Sequence, residues 1–257
     1  MSDGAEWGIG TVIKTHSILS CNPILLRGLF FDSANLFHRF FQFDFWLPAL
    51  AMSELWFTAD LHFGHANIIS YCQRPFLSEE EKAKVAQDPR GGGNVSAETV
   101  QKHDDALLSA INERVGKKDT LWILGDFCLG SFEKAAEYRA RIQCRQVHFV
   151  RGNHDLSSYD ELFDQVIDQG MIKHNGQKIW LNHYPMRSWD KAFHGAWHLY
   201  GHVHGRLQEE DAAQQRLLVR DVGVDATDYC PVSFTELVEY MKPREEAFRA
   251  WKESLGM

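Results

Sequence analysis

Short apolar runs alternate with longer amphipathic stretches along much of the chain. Residues 55–59, 120–124 and 147–150 are almost continuously apolar, the pattern of strands buried on both faces. Residues 78–87 are charged and read as a short helix. Residues 96–115 read as a longer one, capped by Ser96, with Val100, Ala106, Leu107, Ala110 and Ile111 at helical spacing. Further helices are predicted over 132–142 and over part of 159–166. Asn175-Gly176 separates the runs 171–173 and 178–181, a strong signal for a two-residue hairpin turn. Strands are expected at 197–200, 216–219 and 222–224, and one or two helices over 233–251, interrupted at Pro243. Strands alternating with helices early, then a hairpin-rich later half, predict a mixed α/β fold rather than a purely parallel one. No internal repeat is found.

Residues 1–51 read differently from the rest. They hold an aromatic-rich stretch interrupted by Asp32, Arg39 and Asp44, so no uncharged run approaches the roughly 20 residues of a membrane span. Ala49-Leu50-Ala51 resembles a signal-peptidase site, but the segment before it carries Asp44 and the leader is too long. Two readings remain: an amphipathic arm that packs on the domain or on a second subunit, or sequence upstream of a start at Met52. The second is favoured, because turn signals and consistent periodicity are lacking. Low order and no active-site residue are expected there. Residues 52–257 then form one catalytic domain. The stretch 88–94 is glycine-rich and reads as a flexible loop that could cover a site. It is not a phosphate-cradling loop, since no G-K-[ST] follows.

The predicted strands and their connections are followed by polar clusters that carry chemistry. In order they are Asp60-Leu61-His62, Gly125-Asp126, Gly152-Asn153-His154-Asp155, Asn182-His183 and Gly201-His202-Val203-His204. In an extended chain, residues two apart point to the same side, so Asp60 and His62 can reach one ion, as can His202 and His204. The donors are imidazole, carboxylate and one amide oxygen, with no cysteine, a set that suits Mn, Fe, Zn, Ni or Co. Seven donors are too many for one tetrahedral ion and right for two ions sharing a bridge. Asp126, with two oxygens to give, is the natural bridge. Two ions roughly 4 Å apart would hold a water between them and bring its pKa toward neutrality, giving a hydroxide poised for in-line attack on phosphorus.

The ordered set D-x-H, G-D, G-N-H-D, H and G-H-x-H resembles that of the calcineurin-like metallophosphoesterases, in particular compact bacterial and phage-type members. The likeness spans about residues 52–238. It implies a four-layer αββα sandwich, two mixed sheets face to face with helices outside. It assigns one metal to Asp60, His62, Asp126 and His204, and the second to Asp126, Asn153, His183 and His202, with Mn as the foremost candidate. It gives His154 the role of facing the phosphoryl group, stabilising charge or protonating the leaving oxygen. One departure is that the G-D-x-x-D of related protein phosphatases becomes Leu129 at its last position. Asp155 is present without a role legible from sequence.

Around this set, His65 and Asn67 lie beside the site. One of them is expected to contact the phosphate or a metal-bound water, against the alternative of a hydrogen bond that only closes the loop. Arg187 is read as a phosphate contact, against the alternative of a surface ion pair. Arg74, Arg151 and Arg187 could together make a local basic patch. Asp221 and Asp225 read as turn or sheet-end residues, and His103, His148 and His198 as ordinary histidines. Cys128 reads as a small buried residue behind the site.

Composition narrows the function. The chain has 257 residues and a formal charge of -8, which gives no general grip on duplex nucleic acid. Five cysteines without C-x-x-C spacing argue against a disulfide framework and fit a cytoplasmic setting. The expected function is a dinuclear-metal phosphoesterase acting on phosphate mono- or diesters, with a nucleotide or small phosphorylated metabolite as substrate. The alternative is end processing of short single-stranded nucleic acid. No membrane partner is expected, and oligomeric state is open. A non-catalytic scaffold is a third reading, disfavoured because every motif position is kept.

Overall fold

The computed structural model describes residues 53–88, 93–214 and 216–257. The N-terminal stretch 1–51 and the glycine-rich centre of the 88–94 loop therefore lie outside the described residues. Along the early strands, alternate residues enter two different cores. In β1 (Leu55–Thr58), Leu55 and Phe57 face one core and Trp56 the other. In β2 (Thr120–Leu124), Trp122 and Leu124 oppose Leu121 and Ile123 in the same way. Burial on both faces explains why these segments look continuously apolar.

The first sheet has the order β4-β3-β2-β1-β9, with β3 at Gln146–Val150, β4 at Gln165–Ile167 and β9 at Val232–Ser233. All its pairings are parallel except that of β1 with β9. The second has the order β5-β6-β7-β8, from Gln169–His174, Gln177–Asn182, Trp197–Tyr200 and Val219–Asp221. Its β5–β6 pair is the antiparallel hairpin expected from Asn175-Gly176, whose φ values of 46° and 86° suit a primed turn. Between the sheets, Phe57, Leu124 and Val150 meet Ile179, Leu181, Leu199 and Val222. The fold is thus the expected mixed α/β sandwich of two mixed sheets flanked by helices.

Helices α1 (Ala66–Tyr71), α2 (Glu79–Gln87) and α3 (Ala97–Arg114) separate β1 from β2, and α4 (Phe132–Arg141) separates β2 from β3. Leu107, Ile111, Ala135 and Tyr138 cover the outer face of the first sheet. The outer layer on the second sheet is thinner: α5 (Gln208–Ala213), a 3-10 turn at Ala192–His194, and the loop carrying Trp189. Three expectations need correcting. A 3-10 helix fills Ser157–Leu162, and Val166 belongs to β4. The strands expected at 216–219 and 222–224 are replaced by one, β8 at Val219–Asp221, after which the chain turns into a 3-10 helix at Val224–Ala226. The C-terminal helix α6 (Phe234–Ser254) runs unbroken through Pro243, held by Phe234, Leu237 and Met241 packing into the inter-sheet core. Among the described residues, no helix is long and apolar enough to cross a membrane.

One carboxylate organises the helical connection that leads to the site. Glu81 accepts hydrogen bonds from the backbone N–H of Ser78 (2.8 Å) and Ser96 (2.7 Å) and from the Thr99 hydroxyl (2.7 Å). It thereby caps α2 and ties the start of α3 to it. Burial opposes ionisation, but these donors prevail and hold the carboxyl down at about 2. A folded-state pKa below the unfolded value means stabilisation that is full above about 4.5 and is lost as pH falls toward 2. Glu81→Gln should cost on the order of 1–3 kcal/mol in urea unfolding at neutral pH. The gap from the unaltered protein should narrow as unfolding is repeated at about pH 3. A pH-independent gap would refute the charge-based account.

Candidate metal centre

The chain leaves β1, β2, β6 and β7 at one shared edge, and each exit is abrupt. Asp60, His62, Asp126, His202 and His204 have φ of 58°, 49°, 55°, 70° and 50°, in the left-handed region that side chains other than glycine rarely adopt. Such residues persist only where the surroundings over-determine them. Here the exits are laced together. Asp60 N–H donates to Gly125 O (3.1 Å), His62 N–H to Asp126 O (2.8 Å) and Gly201 N–H to His183 O (2.9 Å). Close approach also demands glycine. A Cβ on Gly152 would lie 2.3 Å from Asp126 Oδ1, and one on Gly223 would lie 2.4 Å from Asp60 Oδ2.

The side chains then gather in two groups. Asp60, His62 and His204 form one, and Asp126, His183 and His202 the other, with donor atoms in each within 4.8 Å of one another. Asp126 Oδ2 spans both, 3.3 Å from His62 Nε2 and 3.5 Å from His183 Nε2. Asn153 Oδ1 lies 3.0 Å from His183 Nε2. All seven candidate ligands predicted from sequence thus come together.

The imidazoles are oriented from behind. His183 Nδ1–H donates to Leu124 O (2.8 Å) and His204 Nδ1–H to Asp225 Oδ2 (2.7 Å), which fixes the orientation of each ring. His62 Nε2 is buried with no hydrogen-bond partner. Asp60 and Asp126 are 0% and 1% exposed. Burial pushes Asp60 up to about 6. Burial works against Asp126 too, but His183 and His62 hold it well below the usual carboxylate range. Burial alone would lower His204, yet its bond to Asp225 raises it to about 10. An orphaned imidazole nitrogen beside buried carboxylates fits divalent cations, and the nitrogen and oxygen donors fit the borderline metals expected from sequence.

His154 is exposed at the rim. Its backbone N–H donates to Asp126 Oδ1 (3.0 Å), and its ring stands edge-on to His62 at 5.3 Å between centroids. His65 Nδ1 lies 3.2 Å from His62 Nδ1, so His65 joins the cluster through a ligand ring. Burial lowers His65 to about 4, and it is neutral at physiological pH. The Asn67 side chain is exposed on α1. Arg187 is not brought to the cluster; it lines a separate cavity of about 220 Å³ with Trp189, Phe193 and Trp251. Nor do the three arginines form a patch. Arg74 is buried against Asp225, and Arg151 is held by Asp160 and Asp168.

Several supporting residues escaped the sequence reading. Asp225 is more than a turn residue. It holds His204 and accepts two bonds from Arg74, from Nε (2.9 Å) and Nη2 (2.7 Å). Arg74 also donates to Asp60 O (2.8 Å) and meets His103 Nε2 (2.7 Å). His103 Nδ1 is 2.8 Å from Asp104 Oδ1, and Asp104 accepts from the Gly64 N–H and the Tyr138 hydroxyl. Nothing local marks Asp225 and Arg74 as partners, because they are 151 residues apart. Asp155 does have a role: it accepts the N–H groups of Asp126, Phe127 and Gly152, bracing the loop that presents Asp126.

The family model of the calcineurin-like phosphoesterase superfamily domain matches residues 102–223. The chain belongs to the calcineurin-like metallophosphoesterase superfamily. An uncharacterised protein of Methanocaldococcus jannaschii is 31% identical over 196 residues, covering 75% of this chain and 94% of that protein. The gene 66 protein of Mycobacterium phage L5 is 34% identical over 106 residues, 40% of this chain and 41% of that protein. A solved structure from Aquifex aeolicus, of a protein of unknown function, shares the fold at a TM-score of 0.54 and 22% identity, covering 74% of this chain and 100% of that one. This metallophosphoesterase therefore has the fold, the motif order and the clustered donors of a metal-dependent enzyme.

Asp225→Asn keeps the shape behind His204 and removes the charge. In calorimetric Mn titration of metal-stripped protein, one binding step should weaken about 10–100-fold while the other holds. Unchanged affinity in both steps would mean that Asp225 only stabilises the turn.

Proposed function

We propose that this metallophosphoesterase hydrolyses phosphate mono- or diesters at two divalent ions, with Mn foremost. Asp60, His62, Asp126 and His204 would hold one ion, and Asp126, Asn153, His183 and His202 the other. The observation that carries the reading is Asp126 Oδ2 set between His62 and His183 while His62 Nε2 has no other partner. When bound, the ions would supply Lewis acidity toward the phosphoryl oxygens and bring the pKa of a water toward neutrality. The protein's own part is to hold the donors in place before substrate arrives. Asp155 fixes the loop of Asp126, Leu124 O fixes the His183 ring, and Asp225 fixes that of His204. His154, exposed and anchored through its N–H to Asp126, would give a proton or hydrogen bond to the leaving oxygen. His65, neutral beside it, orients His62 and adds no positive charge to compete with a cation.

The test uses metal-stripped protein supplied in turn with Mn, Ni, Zn or Mg, acting on p-nitrophenyl phosphate and bis-p-nitrophenyl phosphate. Metal-dependent release should disappear in Asp126→Asn. His154→Ala should lower kcat about 10²–10⁴-fold while two ions still bind. Failure to release product from either ester with any metal, two ions being bound, would sink the proposal.

A further inference from the structure

Four of the candidate ligands, Asp60, His62, Asp126 and His183, are at most 1% exposed. The others are Asn153, which is exposed, and His202 and His204, which are half-buried. A solute can therefore reach the cluster only past these three. Tyr184 stands at that approach. Its ring is edge-on to His202 at 4.6 Å and to His183 at 5.0 Å between centroids, yet the residue is 45% exposed. Part of the ring is thus seated on two candidate ligands, and the rest faces solvent.

The local chain fixes this ring. Tyr184 N–H donates to Asn182 Oδ1 (3.0 Å), closing a turn directly after β6. Asn182 is itself held by the bond from its Nδ2 to Gln169 Oε1 (2.9 Å) on β5. Pro185 disfavours helical backbone at Tyr184. Met186 N–H then donates to Nε2 of buried His198 (3.1 Å). A ring anchored on both sides loses little freedom when a ligand covers it. The polar groups nearby are already engaged. Asp155 takes three backbone N–H groups, and Asp225 takes Arg74 and His204. Leu129 and Leu156 are exposed on the loops that follow Asp126 and His154. A polyhydroxylated sugar finds few free acceptors here, and hydroxyls buried without partners are costly. An aromatic face presented to solvent suits a flat ring instead.

We infer that Tyr184 determines specificity, its exposed ring packing against a flat aromatic group in the organic part of the phosphate ester. The preferred substrates are then nucleotide or aryl esters rather than phosphorylated sugars. The inference deepens the phosphoesterase reading and rests on it, but its test does not depend on turnover.

The full chain, loaded with Mn, would be titrated calorimetrically with phenylphosphonate and with methylphosphonate. Both resist hydrolysis, and only the first carries a flat ring. Tyr184→Ala should weaken phenylphosphonate on the order of tenfold and leave methylphosphonate unchanged. Tyr184→Phe should keep both affinities. Tyr71→Ala, at a similarly exposed tyrosine on α1, should change neither. Equal loss of both phosphonates in Tyr184→Ala, or weaker Mn binding, would mean that the ring only props the ligand imidazoles, and would overturn the assignment. So would an unchanged phenylphosphonate affinity, or a loss in Tyr184→Phe as large as in Tyr184→Ala, which would place the effect in the hydroxyl. The thiomonophosphate of adenosine separates the two sources of a flat ring. A tenfold loss in Tyr184→Ala assigns Tyr184 to a nucleobase, and no loss assigns it to an aryl group next to the ester oxygen. Binding of neither phosphonate by the unaltered protein, with two Mn ions bound, would instead overturn the phosphoesterase reading, and this inference with it.

Discussion

A carboxylate with no access to water, that of Asp60, stands where the two sheets meet. Desolvating it costs several kcal/mol unless neighbouring groups repay the loss. The His202 N–H donates to both of its oxygens at 2.9 Å, which stitches the end of β7 to the end of β1. Ala59 bridges to Gly223 just before it, so β8 joins the same seam. Yet burial still pushes Asp60 up to about 6, which means that the protein's own donors do not fully balance it. The sandwich is closed around a charge that a cation completes. Packing of the inter-sheet core and affinity for metal are consequently one problem.

The strained backbone follows from that arrangement. Five candidate ligands sit at positive φ because each strand must end in a reversal sharp enough to turn its side chain back toward the seam. Each such residue costs on the order of 1 kcal/mol, and the cost is met by supports outside the cluster. Asp155 satisfies three backbone donors around Asp126. Arg74 takes the Asp60 carbonyl on one side and Asp225 on the other, then passes through His103 to Asp104 and the Gly64 N–H. This buried chain of hydrogen bonds joins the loop after β1 to α3. Glu81 fixes where α3 begins, so a helix cap far from the metal centre takes part in setting its geometry.

The seven candidate ligands were legible because each sits in a short motif right behind or within a strand signal. At Asp60-x-His62 and His202-x-His204 the donor chemistry was legible but the geometry was not: the pairs read as extended chain, whereas all four residues turn at positive φ beyond the strand ends. The early strands were legible because burial on both faces leaves continuous apolar runs. The hairpin at Asn175-Gly176 and the strand at 197–200 were legible too, but not their pairing into a separate second sheet, which periodicity along each strand does not show. The supports behind the ligands were illegible for a different reason. Asp225 and Arg74 have no local pattern, and their partnership exists only after the chain folds. Arg187 was drawn toward the phosphate by its nearness to His183 in sequence, but the chain after His183 turns to the outer face of the second sheet. There Trp189 packs against Tyr200 and Val219.

The two halves of the centre are electrostatically unequal, and this follows from which acceptor stands behind each imidazole. His183 leans on a neutral carbonyl, Leu124 O, whereas His204 leans on a carboxylate. The half with His204 also holds Asp60, while the fourth donor of the other half is the neutral amide of Asn153. An ion on the Asp60 side therefore meets more negative charge, carried by groups with little water around them. On the Asn153 side the donors are less charged, and Asn153 and the adjoining His154 are exposed. His154 stands at that exposed edge, so it and the more weakly charged half lie on the same side of the cluster.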